Sequence, residues 1–290
     1  RSVVRARAEV NGAVSVLNAA ATGFGAAIAI SARVSALAEP IDGELEVVFE
    51  GVDPGDRRLV EAAASVVSGE LGWTGGWRLV IRSELPPRRG LKTSSAVSNA
   101  LIASMCSALG SDPGPSDVLR MSVLASRMAK VTVTGALDDA GASLLGGFVM
   151  ADNDSDAIEV RRDVDPDGLE VLIGIPAGEL EKSAVSREAF APLVPAALRA
   201  RDLALEGRYW DAMTVNGLVV SAALGVDSAP AAEAIRAGAL GAGITGMGPA
   251  IVAVAPEGAS ERVASSLARA GLRVMRYRLE NEPGVWNAEV

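Results

Sequence analysis

Apolar residues at Leu59, Val60, Ala63, Val66 and Val67 follow a helical spacing, which predicts a helix over 57–71 that ends before Gly72. The stretch 76–83, GWRLVIRS, puts Trp77, Leu79 and Ile81 on one face of a strand, and ELEVVFE at 44–50 alternates in places like another. From Ala96 to Leu109 the chain is apolar nearly all round, the pattern of a buried helix, until Gly110 and Pro113 stop it. A further helix is predicted over 116–129. The stretch VTVTGALDDAGASLLGGFVM (131–150) then reads as strand, turn, short helix, double glycine and strand. Residues 1–35 mix small and β-branched residues around a glycine patch.

The segment ADNDSDAIEVRRDVDPDG (151–168) is polar and acidic, with room for one short strand. It reads as a connection at a domain boundary, and its aspartates read as a solvated surface rather than a metal site. Beyond it come a strand over 169–175, helices through 184–224 and a helix near 229–239. The glycine-rich GALGAGITGMGP follows, then the strand IVAVAP, a helix over 258–270 and the strand RVMRYRLE. This late α, β, α, β alternation suits a helix-backed sheet. The chain's 290 residues are comfortable for two domains, expected at 1–155 and 156–290.

Composition narrows the chemistry. A net charge of −9 argues against nonspecific nucleic-acid or anionic-membrane binding. The chain has no histidine, which removes every imidazole base, triad and His–metal site. Its one cysteine, Cys106, lies in the apolar helix and reads as a small core side chain. The opening RSVVRARAEVNG carries no signal-type apolar run, and no stretch of about 20 apolar residues occurs, so a cytoplasmic protein is expected. Aromatics make up only 3%, so the core must be built from Ala, Val, Leu and Ile.

Against this acidic background PPRRGLKTSS (86–95) stands out. A glycine-containing loop that opens a helix offers free N–H groups and the positive end of the helix dipole, a setting that binds phosphate. Arg88, Arg89 and Lys92 add charge, and Thr93, Ser94 and Ser95 add hydroxyls that can meet phosphate or Mg2+. No Walker A pattern is present. Read alone, the loop fits an ordinary capped helix about as well. A second cluster is Asp138–Asp139, a carboxylate pair that could hold a metal or take a proton from a substrate hydroxyl. Neighbours on a helix point about 100° apart, so one of the two faces any given site. Gly241, Gly243 and Gly246 spell G-x-G-x-x-G, but a strand follows where a dinucleotide fold needs a helix, and that reading is rejected.

Taken in order, these segments resemble the GHMP kinase superfamily. Its P-x-x-x-G-L-x-S-S-A phosphate motif is matched by Pro86, Gly90, Leu91, Lys92, Thr93, Ser94, Ser95 and Ala96, with one residue more before the paired serines. Gly246–Met247–Gly248–Pro249 matches its C-terminal loop, and Asn18 to Gly25 matches its N-terminal motif loosely. Within the superfamily, VTVTGALDDA, GLKTSSAVSNA, LNAAATGFGAA and GITGMGPA resemble archaeal-type shikimate kinases.

The resemblance implies an α+β, two-domain GHMP kinase fold. Its N-terminal domain would be ribosomal protein S5 domain 2-like and would bind ATP; its C-terminal domain would be ferredoxin-like. It implies transfer of the ATP γ-phosphoryl group to the 3-hydroxyl of shikimate, in aromatic amino-acid biosynthesis. ATP would lie on Pro86, Arg89, Gly90, Leu91, Lys92, Thr93, Ser94, Ser95 and Ala96. Asp138, Asp139 and Lys92 are the catalytic candidates; alignment to related motifs favours Asp139 by one count and Asp138 by another. The helix before VTVTG offers no clear glutamate, so Ser95 with one aspartate is the expected Mg2+ partner. Asn18, Thr22, Asn216, Thr245 and Gly246 are the expected substrate wall, and Lys92, Arg88, Arg89, Arg187 or Arg208 would meet the shikimate carboxylate. Other acceptors (homoserine, mevalonate) or a catalytically dead sensor on the same fold are the alternatives. Partners are expected to be small molecules, with a homodimer as the expected assembly.

Overall fold

The computed structural model describes residues 4–50, 57–85, 91, 93–132, 134–177 and 186–288. Two long antiparallel strands, β1 (Ala6–Leu17) and β2 (Phe24–Ile41), form its spine. Patterning does not reveal them, because most of β1 and the first half of β2 are buried on both faces and built from alanine and other small residues. β3 (Glu46–Glu50) and β4 (Gly76–Ser83) are parallel and joined through helix α1 (Arg57–Leu71).

β2 changes partner along one edge. It pairs β5 (Phe148–Asp152) over Phe24–Ile28 and β4 over Val34–Ile41. Helices α2 (Thr93–Ala108), α3 (Pro115–Met128) and α4 (Leu137–Leu145) share one core with α1 and with Val10, Val34, Trp77, Leu79 and Ile81 of this sheet. As its pattern predicts, α2 is buried almost throughout.

The strand expected at VTVT does not form at Val131, Thr132 or Thr134; Val133 lies outside the described residues. The Thr132 hydroxyl instead accepts the N–H groups of Thr134 (3.2 Å) and Gly135 (3.0 Å), a local turn that competes with a ladder. Gly146 and Gly147 both take positive φ, at 71° and 70°. A Cβ on either would stand 2.4 Å from a backbone oxygen, of Asn281 and Arg162 respectively.

β6 (Ala157–Arg162) forms a hairpin with β5, so the boundary expected at residue 155 falls in a hairpin turn. The chain then leaves for a second, four-stranded antiparallel sheet. β7 (Leu169–Ile175) leads to a 3-10 helix (Arg187–Leu193), α5 (Val194–Leu205), α6 (Tyr209–Leu224) and α7 (Ala229–Arg236). β8 (Gly241–Ile244), β9 (Ile251–Pro256), α8 (Glu257–Arg269) and β10 (Arg273–Tyr277) complete the unit, in strand order β10-β7-β9-β8. A last strand, β11 (Val285–Ala288), returns to pair with β1 in the first, seven-stranded sheet.

Two of the glycines in the rejected dinucleotide pattern, Gly241 and Gly243, lie in β8, and β9 follows the motif. Their role is close packing. A Cβ on Gly217 of α6 would stand 2.5 Å from the Gly243 Cα.

The second face of β1 and β2 (Val14, Val16, Ile28, Ile30) joins β7, β9 and α6 in a core that spans both sheets. Among the described residues no helix is long and apolar enough to cross a membrane.

Candidate active site

Helix α4 begins abruptly. Ala136, just before it, is left-handed (φ 56°, ψ 40°), and no side chain of its own caps the helix. The first N–H, of Leu137, is met from a distance in sequence by Asn153 Oδ1 at 2.8 Å. The Asn153 Nδ2 donates to Asp138 Oδ1 (2.9 Å) and to the Gly23 carbonyl (3.3 Å), and its backbone N–H donates to the same carbonyl at 2.9 Å. Asn153 is 2% exposed, Asp138 4% and Asp139 7%, so this is an interior constellation.

Asp138 lies over β2 where the sheet has no side chain. A Cβ on Gly25 would fall 2.5 Å from the Asp138 carboxyl carbon. The strand thus leaves a notch that the carboxylate fills. Behind it, Arg127 of α3 grips both oxygens of Asp156 at 2.7 Å and reaches the carbonyls of Thr134 and Asn153 at 3.4 Å. That fork ties α3, the approach to α4 and the β5–β6 turn together, and its hydrogen bonds to Asp156 favour the charged guanidinium.

Pro86, Pro87, Arg88, Arg89, Gly90 and Lys92 lie outside the described residues. Leu91 is buried in the core that spans both sheets. Thr93 and Ser95 are buried in the first turn of α2, Ser94 is half-buried beside them and Ala96 is in the core. Asn99, one turn on, donates its amide to the Ala140 carbonyl at 2.9 Å. The hydroxyl-bearing end of α2 is thereby pinned near the start of α4, where the two aspartates sit. Ser95, Asp138 and Asp139 present only hard oxygen donors, a set that suits Mg2+. The acidic run 151–168 gives no cluster of three metal-binding side chains among the described residues.

The expected substrate wall is also drawn together. The Asn18 N–H donates to Asn216 Oδ1 (2.7 Å), and its side-chain amide donates to the Gly246 carbonyl (3.1 Å). Ser15 of β1 exchanges hydrogen bonds with the two residues that follow β8. Its N–H meets Thr245 Oγ1 at 3.1 Å, and its Oγ accepts from the Gly246 N–H at 2.9 Å. Thr22 stays within its own loop, accepting from the Phe24 N–H at 3.2 Å.

The two described arginines among the carboxylate candidates part ways. Arg187 donates through Nε to the Ala20 carbonyl (3.2 Å), with Nη1 3.5 Å from Asp154. Arg208 pairs with Asp211 at 2.8 Å and lines a shallow surface hollow of about 440 Å³ with Ile235 and Leu240. A second hollow of about 440 Å³ lies between Pro113–Pro115 and Val285–Trp286. Neither hollow is lined by the carboxylates, by α2 or by the Asn18 loop.

Sequence reasoning gave no role to Asn153 or Arg127, and met Gly25 only as the end of a loosely matched motif. Asn153 sits in a run that reads as solvated, and the one available sign was a neutral amide among aspartates.

Comparison with known proteins shows the family. Residues 58–147 match the GHMP kinases N terminal domain family. The chain is 39% identical over 255 residues to a shikimate kinase of Thermococcus kodakarensis, covering 87% of this chain and 92% of that one. It is 36% identical over 278 residues to a shikimate kinase of Methanothrix thermoacetophila, covering 96% and 95%. In fold it is similar to the homoserine kinase of Cytophaga hutchinsonii, with a TM-score of 0.75 over 99% of this chain and 98% of that one, at 17% identity. With relatives this similar along nearly its whole length, the chain belongs to the archaeal-type shikimate kinases of the GHMP kinase superfamily.

Proposed function

We propose that the chain transfers the γ-phosphoryl group of ATP to the 3-hydroxyl of shikimate, with Asp138 taking up the hydroxyl proton. Family membership supports the reaction. The observation that favours Asp138 over Asp139 is its seat in the Gly25 notch with Asn153 donating to it. The shikimate oxygen attacks the γ-phosphorus, the bond to the β–γ bridging oxygen breaks, the proton passes to the Asp138 carboxylate, and ADP leaves. Chemistry of this kind rests on positioning and charge neutralisation and needs no histidine.

Ser95 and one of the two aspartates would hold Mg2+, which would neutralise charge on the phosphates. The segment Pro86 to Ala96, with Arg89 and Lys92, would carry the polyphosphate at the N-terminus of α2. Arg187 would receive the substrate carboxylate. Its Nε is anchored on Ala20 in the loop that follows Asn18, while its ion pair with Asp154 is long and half-exposed, hence weak and exchangeable. Asn18, Thr22, Asn216, Thr245 and Gly246 would form and brace the acceptor wall.

The test is ADP release by the purified protein with ATP and Mg2+, in the presence of shikimate, homoserine, mevalonate or no acceptor. Release stimulated by shikimate alone is expected. Release driven by another acceptor would overturn the substrate assignment.

A further inference from the structure

We infer that Asn153 is a positioning residue for phosphoryl transfer: it sets the direction of the Asp138 carboxylate and ties it to the loop that leads from β1 to β2. The inference rests on Asp138 being the base.

The amide's orientation follows from its neighbours. The Leu137 N–H, 2.8 Å away, can be met only by the side-chain oxygen, so Nδ2 is turned to Asp138 Oδ1 and to the Gly23 carbonyl. Asn153 therefore has to accept on one side and donate on the other. Aspartate could cap Leu137, but it could not donate to either oxygen and would set a second carboxylate against the first.

The rest of the turn is acidic, and each carboxylate faces elsewhere. Asp152 accepts from the Ser155 hydroxyl (2.7 Å) and the Asp154 N–H (2.9 Å). Asp154 lies 3.5 Å from Arg187, and Asp156 is gripped by Arg127. Of the five residues 152–156, Asn153 alone is buried.

The Gly23 carbonyl gives the post its second anchor. Through it Asn153 joins the base to the loop whose Asn18 meets Asn216 and Gly246 and whose Ala20 meets Arg187. A shift of the carboxylate relative to this loop would move the base relative to the acceptor, and misplacement by about 1 Å can cost about 10²-fold in rate.

The test compares Asn153→Ala and Asn153→Ser, alone and combined with Asp138→Asn. Calorimetric ATP binding and thermal unfolding verify that each variant is folded. Serine, one bond shorter, keeps an oxygen on the Leu137 side at longer range but cannot span to Asp138. Expected is a fall in kcat of about 10²-fold for either variant, with KM values for ATP and shikimate nearly unchanged. In the Asp138→Asn background the same substitutions should cost almost nothing further, because they act through the group already removed. If the serine variant keeps wild-type kcat, the amide's contact with Asp138 is dispensable and the inference is wrong. It is equally wrong if the losses multiply in the double variant. Full turnover by Asp138→Asn itself is a different result, which would overturn the base assignment. Should the alanine variant fail to fold, the serine variant carries both comparisons.

Discussion

Gly25 and Asp138 meet without an atom to spare: a Cβ added to the glycine would lie 2.5 Å from the carboxyl carbon and from Oδ2. The vacancy on β2 is what admits the carboxylate between the sheet and α4. Gly25→Ala should therefore displace the Asp138 side chain while leaving the strand ladder intact. Overpacking of this kind costs about 1–3 kcal/mol, so the variant should fold with a lowered Tm. Its kcat should fall by about 10²-fold if the carboxylate moves by about 1 Å. Unchanged kcat at a lowered Tm would show that the carboxylate's seat does not matter to turnover.

The two adjacent aspartates should separate in a direct comparison. Asp138→Asn is expected to lower kcat by about 10²–10⁴-fold, the usual range for a positioned proton acceptor. Asp139→Asn should act less on kcat and more on the Mg2+ concentration needed for half-maximal rate. The steady-state rate of each variant across a Mg2+ titration distinguishes the roles, and the reverse pattern would exchange them.

How much of this was legible beforehand differs from element to element. Helix α1, strand β4 and buried helix α2 were readable because each keeps one clear period or none at all. β1 and β2 were not, since residues buried on both faces lose the alternation that marks a strand. β8 was hidden in a glycine run whose spacing reflects contact with Gly217 of α6. In the site, the aspartate pair was legible as a motif, whereas Asn18, Asn216 and Gly246 were expected there through the family resemblance alone; the hydrogen bonds of Asn18 join those three in the fold. Asn153 and Arg127 were not, because their partners lie on separate elements and only the tertiary fold brings them together.

Cys106 offers a probe of the core beneath the site. It is 1% exposed, and burial, followed by the negative charges of Asp117 and Glu70, pushes its thiol up to about 12. Thiolate is the reactive form, so alkylating reagents should leave the native protein unmodified at pH 8 and label one thiol per chain after denaturation. The sign of the linkage follows. The thiol ionises near 9 when unfolded and near 12 when folded, so its contribution is complete below pH 9 and is lost as pH rises toward 12. Tyr277, also pushed up to about 12 by burial, acts in the same direction from its ordinary value of 10. Denaturant midpoints should therefore fall between pH 9 and 11. A midpoint that rises over that interval, or rapid labelling of the native protein at pH 8, would contradict this picture of the core.

Arg187 supplies the sharpest test of how the acceptor is chosen. Its guanidinium is held at one corner by the Ala20 carbonyl, 3.2 Å from Nε, with Nη1 3.5 Å from Asp154. A half-exposed pair at that distance contributes little to stability, so Arg187→Ala should change Tm only slightly. A hydrogen bond to a charged group contributes about 1.5–3 kcal/mol, which corresponds to a rise in KM for shikimate of about 10–10²-fold. KM for ATP should stay where it is. The decisive control is an analogue of shikimate in which the carboxylate is replaced by a neutral carboxamide. Wild type should lose against it what Arg187→Ala loses against shikimate, and the variant should barely distinguish the two compounds. If the variant still prefers the carboxylate by the wild-type margin, the carboxylate meets a different residue, and the Arg187–Ala20 contact serves only to fasten the 3-10 helix to the loop between β1 and β2.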